Sequence, residues 1–401
     1  MAGLHVAGHS QQFDPIMALS IVVDENVPFA RETFGRLGSV TLLAGRKIGA
    51  ADVRTADVLI VRSVTRVDEA LIDGSCVQFV GTATIGVDHV DTSYLARRGI
   101  AFASAPGSNA NSVSEYITAA LLLLASRQGS RLEGSKIGVV GVGNVGSRVV
   151  RKAEALGMTC LLNDPPKRRE TGNSRYLPLA MVLEQADYVT VHVPLERGGP
   201  DPTWEMGNDE FFRRMKPGAC FLNSSRGQVV DEKALLRALD SGRVEAAVLD
   251  VWQNEPNIDP ATVARVFLGT PHIAGYSYDG KVAATMMLYD ALCTHLGTIA
   301  DVDLDSLLPV APTPRLELGG APEDDDELLR LLVPRIYDIR KDDADLRRAA
   351  AAGDERGRQF DLLRKRYPQR REFSNTVLVI PAERPGFRAK AQGLGFKIEK
   401  L

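Results

Sequence analysis

Residues 136–166 read KIGVVGVGNVGSRVVRKAEALGMTCLLNDPP, and the fold turns on how this stretch is understood. It opens with the apolar run KIGVV, continues with Gly141, Gly143 and Gly146 in G-x-G-x-x-G spacing, and passes into SRVVRKAEALG, which has helical periodicity. Such glycines permit a tight turn, the close approach of a diphosphate and close packing of helix on strand, while the first turn of the helix offers free N–H groups. The next apolar run ends at Asp164, near the ~20-residue offset at which a carboxylate accepts from ribose hydroxyls. The stretch therefore predicts a dinucleotide-binding βαβ unit, with Gly141, Gly143, Asn144, Val145, Gly146 and Asp164 as cofactor-binding residues. The charge of Asp164 disfavours a 2′-phosphate, so NAD is expected over NADP, although Lys167, Arg168 and Arg169 stand close by.

Outward from the loop, the same texture continues through TCLLNDPP, ADYVTVHVP, GACFLNSS, EAAVLDVW and TPHIAGY, nearly all-apolar runs suited to strands covered by helices on both faces. A comparable βα alternation precedes it, from ALSIVVDENVP through VLIVRSVT and VQFVGTATIG to the helix-like SVSEYITAALLLLASR. After residue 296 the texture breaks at Pro309, Pro312 and Pro314 and the acidic run EDDDE, and a strand, helices, a strand (NTVLVIPA), a helix and a last strand (FKIEKL) follow. The expected architecture is α/β: two Rossmann-like, doubly wound parallel-sheet domains and a small C-terminal α+β domain. The expected boundaries are 17–111 for a substrate-binding lid, 112–280 for the NAD-binding domain, 281–310 for a connecting helix and linker, and 311–401 for the C-terminal domain. Residues 1–16 read as a disordered extension.

A chain of 401 residues, 44% hydrophobic and 25% charged, with a net charge of −3, has the composition of an ordinary multidomain soluble protein. That charge gives no general attraction to nucleic acid or anionic lipid, and no apolar run reaches the ~20 residues that cross a bilayer. The basic segment Arg356–Arg371 carries interspersed Leu362, Leu363 and Tyr367 and reads as a helix with a solvated basic face. Cys76, Cys160, Cys220 and Cys293 have neither zinc spacing nor the density of a secreted scaffold, which points to free thiols in a cytoplasmic protein. His5, His9, His89 and His295 form no metal-like cluster, and no metal is expected; His192 reads as structural or as lying at the cofactor's edge.

Oxidation of a secondary alcohol by hydride transfer needs a base, a partner to stabilise the charge the base acquires, and a cation for the substrate's oxygens. LNSSRGQVVD supplies Arg226, LDVWQNEP supplies Asp250 and Glu255, and PHIAG supplies His272, each just past a strand and therefore at the ligand-binding end of a parallel sheet. Each alone has an ordinary structural explanation; the ordered set on successive βα units does not. These residues resemble the D-isomer-specific 2-hydroxyacid dehydrogenases. The resemblance implies that Arg226 holds the substrate carboxylate and 2-oxygen, that Glu255 pairs with His272, and that His272 exchanges the proton as NAD takes hydride. It also places Asp250 and Gly275 against the cofactor. A carboxylate beside an imidazole favours the protonated ring, in accord with that assignment.

Further stretches, VDENVP, VRSVT, VGTATIGVDHVD, APGSNA, HIAGYSYDGK and, in the tail, YDIRKDDADLR and LLRKRYPQRREFS, are similar to one branch of that family, whose substrate is a phosphorylated hydroxy acid. That likeness assigns Ser63, Thr84 and Tyr276 to substrate. Arg62 is the first candidate for the phosphate, ahead of Lys281 and an arginine of a partner's tail. Two positions depart from the pattern: Val193 stands where a threonine is common and Ser225 where a cysteine is common. The C-terminal strands are expected to form a homodimer, having little chain left to cover them. The alternatives are a 2-hydroxyacid dehydrogenase of another substrate, such as 3-phosphoglycerate, or an NAD-sensing binding protein on the same fold.

Overall fold

The computed structural model describes residues 19–304, 308–318, 322–381 and 384–400. The expected extension 1–16 lies outside them. The chain forms two compact units, Met1–Asn109 with Tyr278–Pro309, and Ala110–Ser277 with Val310–Leu401.

The first unit carries a five-stranded sheet of β1 (Leu19–Asp24), β2 (Gly38–Leu43), β3 (Val58–Val61), β4 (Phe79–Thr82) and β5 (Ala101–Ser104), in the order β2-β1-β3-β4-β5. Every pair is parallel. Its strands β3 and β4 are buried on both faces, as the unbroken apolar run VLIV of β3 requires. On one face the helix Tyr278–Leu296 contributes Leu288, Tyr289, Leu292 and Cys293 to a core with Ile21, Val23, Ile60 and Phe79. Lys281 lies in the first turn of this helix rather than on a turn.

The second unit holds a six-stranded parallel sheet of β6 (Lys136–Val140), β7 (Thr159–Asn163), β8 (Tyr188–Val191), β9 (Ala219–Asn223), β10 (Val244–Leu249) and β11 (Leu268–Gly269), in the order β11-β10-β9-β8-β6-β7. The direction of winding reverses between β6 and β8, so the loops after these two strands flank the switch point at which such sheets bind ligands. The expected strand TPHIAGY, residues 270–276, does not form: β11 ends at Gly269, just before it. Pro271 has no N–H to donate, and His272 takes φ 57°, which no strand accommodates.

The C-terminal segment adds a three-stranded parallel sheet, β12 (Arg315–Glu317), β13 (Val377–Ile380) and β14 (Lys397–Lys400), in the order β12-β13-β14. The strand within NTVLVIPA is therefore central rather than an edge, and its Leu378 and Ile380 share one core with Leu121 and Leu124 of the helix Ala110–Gln128 and Val149 of the helix Asn144–Ala155. A face that seemed to lack cover is covered within the same unit.

Candidate functional site

The glycine loop follows β6 as its spacing requires. Gly141 has φ 85°, and a Cβ there would stand 2.6 Å from the His192 carbonyl; a Cβ on Gly146 would stand 2.0 Å from the Gly141 carbonyl. Both positions exclude a side chain, one by conformation and contact, the other by contact alone. At Gly143 a Cβ would meet nothing within 4 Å, which leaves open space at the N-terminus of the helix Asn144–Ala155. This is the geometry a diphosphate needs. Val145 is half-buried there and Asn144 exposed.

Asp164 closes β7 and caps the helix Pro165–Thr171. Its carboxylate accepts from Val142 N at 2.9 Å and Lys167 N at 3.0 Å, which ties the glycine loop to the end of the neighbouring strand. Each oxygen keeps a second acceptor position for ribose hydroxyls. The basic residues beside it are partly committed: the Lys167 ammonium donates to the Val142 carbonyl, and Arg169 is paired with Asp201. Together the open loop, the helix N-terminus and the carboxylate fit a dinucleotide. Replacing Asp164 by Asn, which keeps an acceptor for the cap, is expected to raise the KM for NAD about tenfold and narrow its preference over NADP; the ratio of kcat/KM for the two cofactors checks this. An unchanged ratio would remove Asp164 from the ribose.

Arg226, Asp250, Glu255 and His272 all lie in the second unit. His272 sits after β11 in the left-handed region, a strained position for a residue with a Cβ. Asp250 holds it there. The His272 N–H donates to the Asp250 carbonyl at 2.7 Å, while the Asp250 carboxylate accepts from Ile273 N at 2.8 Å, Ala274 N at 2.9 Å and the Thr270 hydroxyl at 2.6 Å. Asp250 is 1% exposed, and burial holds its carboxyl above the ordinary aspartate value. Beside the cofactor contact that the family resemblance implies for Asp250, the geometry adds a second role, anchoring the turn that carries His272.

Glu255 accepts from His272 Nδ1 at 2.7 Å and from Trp252 N at 2.8 Å. Burial pushes its carboxyl up, but the facing imidazole, the hydrogen bond between them and the Arg364 guanidinium bring it below the ordinary glutamate value. The carboxylate therefore stays charged at neutral pH and fixes the proton on Nδ1, which leaves Nε2 as the acceptor. Arg226 donates from Nη1 to the Ser225 carbonyl at 2.8 Å, and Ser225 itself hydrogen-bonds Asn223 at 2.8 Å, so the serine shapes the arginine's turn. His192 hydrogen-bonds the Thr190 hydroxyl at 3.0 Å, and burial pushes its pKa down to about 3, which keeps the ring neutral. Val193 packs against the core of the same sheet.

Gly275 and Tyr276 follow on the same turn, and Tyr276 meets Tyr367 edge-on, with centroids 5.9 Å apart. Among the remaining substrate candidates, Ser63 is exposed after β3, Arg62 donates to the Asn26 carbonyl at 3.3 Å, and Thr84 donates to the Gly86 carbonyl at 2.8 Å, all in the first unit. Among the described residues no group of three or more His, Cys, Asp or Glu could hold a metal, and no helix is long and apolar enough to cross a membrane.

The basic tail segment departs from the expectation of a solvated face. Arg370 and Arg371 are buried, and Arg370 donates from Nη2 to the Ser112 and Ala274 carbonyls, both at 2.9 Å, with its guanidinium over the Tyr337 ring. Beside them Asp342 accepts from the hydroxyls of Tyr337 and Tyr367, both at 2.9 Å, and burial pushes its carboxyl up to about 6. A raised folded-state value stabilises the fold below the ordinary value of 3.8, and that contribution is lost as pH rises through about 6. Asp342→Asn, which keeps an acceptor for both phenols, is expected to melt higher than the parent at pH 7 to 8 and to lose that advantage below ~pH 4. Melting temperatures across this range provide the check.

Residues 118–274 match the model of the D-isomer specific 2-hydroxyacid dehydrogenase NAD binding domain, and residues 307–386 match a domain of unknown function. The erythronate-4-phosphate dehydrogenase of Salinibacter ruber is 48% identical, with 95% of this chain and 100% of the relative covered. That of Edwardsiella ictaluri is 47% identical, with 89% and 94% covered. Among solved structures, NAD-bound 3-phosphoglycerate dehydrogenase from Entamoeba histolytica matches with a TM-score of 0.60 at 23% identity, over 72% of this chain and 99% of that one. D-lactate dehydrogenase from Aquifex aeolicus, complexed with NAD and lactic acid, matches with a TM-score of 0.58 at 24% identity, over 70% and 97%. These two likenesses bear on the fold alone. The full-length relatives go further: this chain belongs to the erythronate-4-phosphate dehydrogenase family, NAD-dependent members of the D-isomer specific 2-hydroxyacid dehydrogenases.

Proposed function

We propose that the chain oxidises 4-phospho-D-erythronate at C2 to (R)-3-hydroxy-2-oxo-4-phosphooxybutanoate, a step toward pyridoxal phosphate. The observation that carries this reading is the His272–Glu255 pair at 2.7 Å on the turn anchored by Asp250, in a chain so similar to full-length relatives of that name. NAD supplies the hydride acceptor. Nε2 of His272 takes the hydroxyl proton as the C2–H electron pair departs and the C–O bond becomes a carbonyl, and Glu255 stabilises the imidazolium that results. Arg226, held at its turn by the Ser225 carbonyl, is assigned to the substrate carboxylate and the 2-oxygen, which a guanidinium can bind through paired N–H donors. Asp250 and Gly275 are assigned to the nicotinamide end of the cofactor, and Gly141 to Gly146 with Asp164 to its diphosphate and ribose.

Ser63, Thr84 and Tyr276 are assigned to the substrate and Arg62 to its phosphate. We place the protein in the cytoplasm as a homodimer joined through the C-terminal segment; the exposed Leu331 and the two edge strands β12 and β14 support that arrangement. The test is NADH formation from 4-phosphoerythronate beside 3-phosphoglycerate. A kcat/KM at least tenfold higher for the former is expected. Equal or reversed preference would transfer the chain to another substrate, and no turnover with any hydroxy acid would favour an NAD-sensing binding protein.

A further inference from the structure

We propose that Arg364, in the C-terminal helix Arg356–Lys365, is a positioning residue for the reaction, anchoring both the Glu255 carboxylate and the Tyr276 ring beside His272. The inference rests on the proton-handling roles given above to His272 and Glu255. Its starting point is geometric. The guanidinium carbon of Arg364 stands 5.6 Å from the Tyr276 ring centroid, while Tyr367, two residues past the end of the helix, packs edge-on to the same ring at 5.9 Å and 83°. The C-terminal segment thus grips Tyr276 with a cation and an aromatic edge.

The helix also meets the loop that carries Glu255. At Gly357 a Cβ would stand 2.4 Å from Asn257 Oδ1 and 3.6 Å from Pro256 Cγ, so the helix backbone approaches the two residues directly after Glu255 more closely than any side chain would allow. The preceding helix, Ile339–Ala350, is tied to the approach to His272: Arg347 donates to the Val263 and Val266 carbonyls at 2.8 and 3.0 Å, and Asp343 accepts from Gly269 N at 2.8 Å. A segment matched only as a domain of unknown function therefore braces both turns of the proton-handling pair.

Charge gives the bracing a chemical purpose. His272 alternates between neutral and protonated forms during turnover, so it supplies Glu255 with a full counter-charge for only part of the cycle. Arg364 is charged throughout. Burial opposes that charge, but the Tyr276 phenol, in side-chain hydrogen-bond contact, and the Glu255 carboxylate together hold the guanidinium above its ordinary value, and Arg364 in turn helps to hold Glu255 below its own. Two carboxyls also act on the pair: Glu232, raised by burial and further by Glu255, and Asp250, whose charge interacts with His272. Arg364 thus supplies Glu255 with a permanent positive charge.

The test is the pH dependence of kcat and kcat/KM in the full-length protein for Arg364→Gln and Arg364→Lys, beside Glu255→Gln and His272→Ala. Removing a fixed positive charge raises the proton affinity of the coupled His272–Glu255 pair. Arg364→Gln is therefore expected to move the acid limb of the oxidation profile to higher pH and to lower kcat about tenfold, with KM for NAD within twofold of the parent. Arg364→Lys should return the limb to its original position. A parental limb and kcat in Arg364→Gln, or a limb displaced equally in the lysine variant, would overturn the proposal. If either occurs while His272→Ala is inactive, the roles of His272 and Glu255 stand and only Arg364 is excluded; if His272→Ala turns over normally, the underlying reading fails instead.

Discussion

Turnover of the His272→Ala protein is expected to fall by ~10²–10⁴-fold, the range a positioned general base contributes, with the dissociation constant for NAD little changed. The alcohol proton then has no acceptor at Nε2, and none of the hydrogen bonds that shape the glycine loop or hold Asp164 passes through the imidazole. One complication is local: residue 272 has φ 57°, and alanine is strained in that region. His272→Asn is therefore the companion variant, because asparagine tolerates the left-handed conformation and cannot serve as a base at neutral pH. Both variants should be inactive, with the asparagine protein melting closer to the parent. Stopped turnover together with lost NAD binding in both would mean that the turn had collapsed, and turnover near the parental rate in either would remove His272 from the chemistry.

Deleting the chain from Val310 onward is expected to abolish the soluble fold of the second unit rather than release a working dehydrogenase. Leu328, Leu329, Leu332, Phe373, Leu378 and Ile380 are buried in one core with Leu121, Leu124, Val149 and Val150. At ~1.5–3 kcal/mol for each fully buried apolar side chain, those six alone rival the ~5–15 kcal/mol by which a domain is stable. The deletion also removes the partners of Asn111, Ser112 and Ser277, whose side chains donate to Glu372 at 2.5, 2.9 and 2.9 Å, and of Glu115, which accepts from Phe373 N at 2.9 Å. Light scattering and circular dichroism of the truncated protein settle the matter. A soluble truncation with a parental spectrum would show that the segment is an appendage.

Much of the second unit is legible in the sequence because its signals are local. A glycine that must avoid the His192 carbonyl, a helix that starts at the next turn and an acid at the end of the following strand all fall within the span 136–166. The Arg226, Glu255 and His272 turns are legible for the same reason, since each follows its own apolar run. What escapes is decided by partners distant in sequence. Arg364, Arg370 and Arg371 belong to a basic run whose composition fits a solvated face, and only the packing of that segment against Tyr276, Ser112 and Ala274 half-buries Arg364 and buries Arg370 and Arg371. The central place of β13 is hidden likewise, because strand order between β12 and β14 is a matter of pairing rather than of pattern. The sequence signal for Arg364 is modest: Gly357 within a helix, where glycine is unfavourable without a close neighbour to explain it.

The helix Tyr278–Leu296 has a consequence for how the protein is made. It completes the core of the first sheet, yet the whole span Ala110–Ser277 comes between it and the strands it covers. On the ribosome, where chains grow at ~5–20 residues per second, β1 to β5 emerge early and must then wait, one apolar face uncovered, until Leu288, Tyr289 and Leu292 follow. The second unit waits in turn for Phe373, Leu378 and Ile380. Neither unit can finish before the other's strands have been translated, so the nascent chain gains its stability late and nearly all at once. Its exposure to premature aggregation is therefore set by the order in which the two folds are threaded through one another in the gene.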